Sequence, residues 1–125
     1  MRVAVPQPPN ADVPVCNRLN DRLPNLLERL QSRPTRPRSP LVHAWGNSHP
    51  VVLRCGVPRP AGFSDSSPST ALVDKVTWFQ QVKPDVVVWT AIRTHVNVEL
   101  SVPTHYQGQG AFLVEVGDAI AATIP

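Results

Sequence analysis

The chain has 125 residues, 15 of them proline, with 42% hydrophobic and 17% charged residues and a net charge of +3. A chain of this length builds one domain around one modest core, with no room for separate cofactor and substrate domains. The composition excludes a charged disordered tail and a coiled coil, no apolar run reaches the roughly 18 residues of a membrane-spanning helix, and proline far above the usual ~5% argues against long regular helices.

Residues 1–14 hold Pro6, Pro8, Pro9 and Pro14 and read as an extended arm before a single domain over 15–125. Proline fixes φ and lacks an amide hydrogen, so polyproline-like geometry is favoured over helix there. In residues 15–31, Cys16, Leu19, Leu23, Leu26, Leu27 and Leu30 recur at three- and four-residue spacing, which predicts a helix with one apolar face, interrupted or restarted at Pro24. Residues 32–40 alternate Arg33, Arg36 and Arg38 with prolines and read as a linker. Strands are expected over 41–46 and 50–57, joined by a turn at Gly46-Asn47-Ser48, with Trp45 needing a partner for its indole N–H. Residues 58–70 form a long polar loop.

The second half reads as sheet. Residues 71–82 suggest one strand with a break near Asp74-Lys75, and 85–92 a Val-rich central strand. Residues 94–102 alternate strictly, Val96, Val98, Leu100 and Val102 against His95, Asn97, Glu99 and Ser101, as in an antiparallel strand with one wet face. Arg93-Thr94 would turn one of these strands back on the other. After a loop at 103–108, Phe112, Leu113, Val116, Ile120 and Ile124 take helical spacing over 109–124. The expected fold is therefore α+β, a mostly antiparallel sheet of about five strands with an N-terminal and a C-terminal helix on the same face.

Nine basic and three acidic residues fall in 1–62, against three and six in 63–125, and ten of the twelve basic residues are arginine, which fits a GC-rich genome. The basic half could draw an acidic partner or nucleic acid through Arg33, Arg36 and Arg38, but three charges without interleaved aromatics favour a solvated connection, and nucleic acid is not expected. Cys55 with His49 and His43 is a weak nucleophile–base arrangement, because a thiol inside a strand is poorly placed for attack. His43, His49, His95 and His105 with the two cysteines lack zinc-site spacing, so no metal is expected. Glu99, Glu115 and Asp118 fit the polar sides of a strand and a helix. Gly108-Gln109-Gly110 is no phosphate loop, so no cofactor is expected. Trp78, Phe79, Trp89 and Tyr106 are the aromatic candidates for a binding face, since adjacent Trp78 and Phe79 point to opposite sides of a strand. Two cysteines, Cys16 and Cys55, are compatible with one disulfide or with two buried thiols.

Several segments together are distinctive: Cys16-x-x-Leu19 leading to Leu23-Pro24, Ala44-Trp45-Gly46, Val51-Val52-Leu53-Arg54-Cys55-Gly56-Val57-Pro58, Ser69-Thr70-Ala71-Leu72-Val73 before Val76-Thr77-Trp78-Phe79, and Val98-x-Leu100-x-Val102-Pro103. Over about residues 11–122 the chain resembles an actinobacterial envelope family known as domain of unknown function 3515. The resemblance implies an exported or lipoprotein-like protein, with Val3-Ala4-Val5-Pro6 at the junction to a membrane or signal segment, and a Cys16–Cys55 disulfide. It assigns no catalytic residue. The leading expectation is a non-enzymatic envelope module binding an envelope protein or a cell-wall or lipid component. Alternatives are a small hydrolase or transferase with a site on the 58–70 and 103–110 loops, using His105, Asp65 or Glu99, and a basic-arm binder of an acidic partner.

Overall fold

The structure, a computed structural model, describes residues 2–63 and 69–125. A 3-10 turn at Asn10–Asp12 leads into α1 (Val13–Arg22). The helix stops much earlier than the leucine stripe predicts. Leu23 is extended (φ −72°, ψ 141°), as a residue before proline prefers, and Pro24 cannot continue the ladder. The remaining leucines build a hairpin of β1 (Leu26–Leu27) and β2 (Leu30–Arg33) around a two-residue turn. Both turn residues, Glu28 (φ 46°) and Arg29 (φ 72°), take positive φ, the conformation whose twist suits two-residue hairpins. The first two linker residues, Ser32 and Arg33, belong to β2 and pair with Trp45 and Ala44.

Next come β3 (Val42–Trp45) and β4 (Val51–Val57), the strands expected over 41–46 and 50–57. The stretch 71–82 is two strands, β5 (Thr70–Val73) and β6 (Val76–Val82), because Asp74 at φ 55° reverses the chain instead of kinking it. β7 (Val86–Ala91) and β8 (Asn97–Pro103) complete the sheet, and α2 (Gly110–Thr123) closes the chain. The α+β class and the two helices hold, but the sheet has eight strands among the described residues, in the order β1-β2-β3-β4-β8-β7-β6-β5, every neighbour antiparallel. The three extra strands come from the misread leucine stripe and from the reversal at Asp74.

Register assigns the faces, since cross-strand partners share one. Cys55, Val98, Ala91 and Trp78 form one row, and Leu53, Leu100 and Trp89 the next. This face carries both helices. Cys16 and Leu19 of α1, and Phe112, Leu113, Val116 and Ile120 of α2, join it in one buried cluster. Trp45 is fully buried there, and its indole N–H donates to the Pro24 carbonyl at 2.9 Å. Arg93 fastens the end of α2, donating from Nε at 3.0 Å and Nη2 at 2.6 Å to the Ile124 carbonyl.

The opposite face holds Arg54, Glu99, Thr90 and Phe79 in one row and Val52, Ser101, Val88 and Gln81 in another. No helix lies on it among the described residues. β4 sits mid-sheet and β5 at the far edge, and the connection that leaves β4 is described over residues 58–63. Phe63 packs edge-on against Phe79 at 5.5 Å, which places the described part of that connection over this face.

Candidate functional site

The sheet face away from the helices carries the candidate site. Strand alternation sets it up: Leu53 and Cys55 point to the core, so Arg54 between them points out. On β8, Leu100 and Val98 point in and Glu99 points out, directly opposite Arg54. Arg54 Nη1 donates to Glu99 Oε2 at 3.1 Å, and both side chains are partly buried. Arg54 Nε is buried and has no acceptor among the described residues. A guanidinium carries five donors, so this arginine is only partly satisfied.

The pair lines a concavity of about 400 Å³ with Thr90 and Gln81 on its floor and Val57–Ala61 as its wall. Arg59 of that wall lies over the Phe63 ring, 5.3 Å from its centroid, and lines the same concavity as Arg54. Two arginines against one glutamate leave an excess of one positive charge there. Around the end of β4, the same Val57-Pro58-Arg59 segment borders a second concavity of about 480 Å³, shared with Pro8, Asp12, His95 and Asn97.

The sequence-predicted candidates are scattered. Cys55 is bonded to Cys16, Cα–Cα 5.8 Å, so its sulfur holds α1 to β4 and is not a nucleophile paired with His43 or His49. His43 contacts Ser32 Oγ through Nε2 (2.8 Å) and Asn20 Oδ1 through Nδ1 (3.4 Å), and burial lowers its pKa. His49 and His105 stack at 3.8 Å with Tyr106 edge-on to both, and the Tyr106 hydroxyl donates to the His49 carbonyl at 2.7 Å. Burial raises the Tyr106 pKa. His95 lies apart, on the second concavity. Among the described residues no three His, Cys, Asp or Glu side chains come within reach of one ion. Glu99 is not joined by His105 or any other residue of 103–110, and Asp65 lies outside the described residues.

Trp78 is buried beneath α2 and Phe79 beneath Phe63, so a loop rather than a second helix covers the latter. The Trp89 indole N–H donates to Gln109 Oε1 at 2.9 Å. The arginines of 33–38 do not act together. Arg33 Nη1 donates to the Gly46 and Asn47 carbonyls at 3.1 and 3.0 Å, holding the β3–β4 turn, while the Arg36 carbonyl accepts from Val3 N and Arg38 is exposed. Sequence reading passed over Arg54, although one arginine inside a Val-rich strand was a usable signal; its partner is 45 positions away.

Glu115 on α2 meets Glu28 of the β1–β2 turn. Burial first, and Glu28 second through a hydrogen bond and like charge, raise the Glu115 pKa. A carboxyl raised by folding favours the protonated native state, so this contribution is present at acid pH and is lost as pH climbs above ~4.3, where an ordinary glutamate titrates. Glu115→Gln is expected to flatten stability against pH in that window, with wild type losing ground to the variant as pH rises. Parallel curves in urea titrations at several pH values would contradict this.

The disulfide points to an oxidising, extracytoplasmic environment. No helix among the described residues is long and apolar enough to cross a membrane. Neither a curated protein nor a solved structure matches the chain. One family, described as "Protein of unknown function (DUF3515)", matches residues 2–125. With that match spanning nearly the whole sequence, the chain belongs to the DUF3515 family.

Proposed function

We propose that this protein is an exported cell-envelope binding module that engages its ligand with the helix-free face of its sheet, without catalysing a reaction. The observation that carries this is the partly satisfied Arg54, set in a concavity on that face and walled by the Val57–Ala61 segment. A buried polar group without a partner is uncommon in a folded protein, and a ligand acceptor is one way of completing it. The disulfide supports the compartment, and the envelope character follows the resemblance of the whole chain to its family. The ligand is an envelope protein or a cell-wall or lipid component.

Co-sedimentation with isolated actinobacterial envelopes tests this. Wild type is expected to pellet with the envelopes, and Arg54→Gln to remain in the supernatant. The Arg36→Gln/Arg38→Gln double variant should pellet like wild type. Pelleting lost in the double variant but kept in Arg54→Gln would move the interaction to the basic arm. Equal pelleting of all three, or of none, would remove the sheet face as the binding surface.

A further inference from the structure

We infer that the concavity around Arg54 takes a carboxylate, carried on a short apolar body such as the C-terminal end of a peptide. This rests on the reading of the helix-free face as a binding surface. The donors come first. Arg54 has Nη1 engaged by Glu99 and its Nε without an acceptor, and Arg59, set over the Phe63 ring, lines the same concavity. A planar guanidinium fork matches the two oxygens of a carboxylate, a geometry that a point-charge ammonium does not offer.

Charge narrows the class. With Glu99 neutralising one of the two arginines, the site keeps one positive charge, which suits a monoanion better than a doubly charged phosphate. Gln81 and Thr90 supply neutral hydrogen-bonding groups on the floor, enough to orient one small polar head. Val57, Pro58, Pro60 and Ala61 form an apolar wall, which suits methyl or methylene groups behind the carboxylate. A volume near 400 Å³ fits a dipeptide-sized fragment rather than a folded partner.

The test is an amide-resolved NMR titration of the full chain with N-acetyl-Ala-Ala as its free acid, with the same compound as its C-terminal amide, and with inorganic phosphate. The free acid is expected to move the amide signals of Arg59, Gln81, Thr90 and Glu99, and the amide to bind about tenfold more weakly. Glu99→Gln should tighten binding of the free acid, because it releases Arg54 from its internal partner. Arg54→Gln should abolish binding; Arg59→Gln should weaken it and serves if the first variant fails to fold. Equal binding of acid and amide at these residues overturns the carboxylate but leaves the face as a binding surface. Phosphate binding there at least as tightly as the acid overturns it in favour of a phosphate oxyanion. No shift at these residues with any probe also overturns it, while envelope co-sedimentation decides the broader reading separately.

Discussion

Replacing Cys16 and Cys55 with alanine is expected to cost about 4 kcal/mol of folding stability. The bond closes a loop with a sequence separation of 39, and chain entropy released in the unfolded state sets that figure. Alanine is the better replacement, because both positions are essentially inaccessible and serine would add two buried hydroxyls. Against a typical domain stability of about 5–15 kcal/mol, the loss is a large share of the total. Its local effect is sharper. α1 is ten residues long, with only Cys16 and Leu19 buried, so without the bond one leucine is its main anchor. Hydrogen exchange should therefore rise first in residues 13–22. Urea unfolding of the oxidised protein and the double variant checks the prediction. A difference below about 1 kcal/mol would mean the staple adds little beyond packing.

Gly56→Ala is the second large effect, expected near 2–3 kcal/mol. Gly56 sits at φ 94°, where the β4–β8 register shifts, and a side chain there is strained whatever the space around it. The space is also filled. A Cβ would lie 2.6 Å from Pro8 Cγ and 2.8 Å from Pro8 Cβ, and a proline ring cannot swing aside as a long side chain can. The arm would have to lift from the sheet. A double-mutant cycle with Pro8→Gly separates the two causes: the steric part should vanish and the backbone part remain, a coupling of about 1 kcal/mol. Additive effects would show that the arm does not rest on Gly56.

These positions illustrate what a linear reading can and cannot see. β4, β7, β8 and α2 were legible because each carries a local signal: Val-rich runs in Val51–Val57 and Val86–Ala91, alternation in Asn97–Pro103, helical spacing in Gly110–Thr123. The leucine stripe misled for a geometric reason. Residues flanking a two-residue hairpin turn are partners three positions apart, the same interval that marks a helix face, and Leu27 and Leu30 are such a pair. Val73 and Val76 repeat it around Asp74-Lys75. The candidate site was hidden for a different reason. Arg54, Arg59, Gln81, Thr90 and Glu99 come from four strands and the segment after β4, and only the order β4-β8-β7-β6 brings them to one concavity. Pairing between distant segments is not written in local periodicity.

The sheet order also has a temporal meaning. β8 is the last strand in the chain, yet it lies between β4 and β7 and is what joins β1–β4 to β5–β7. A chain emerging N-terminus first carries both halves before it carries the strand that unites them, and both cysteines are out by residue 55. Oxidation can thus fix α1 against β4 while the sheet is still two separate ribbons. Residues 97–103 then act as a keystone, and any chain ending before them would be left with two open edges exposed to other strands.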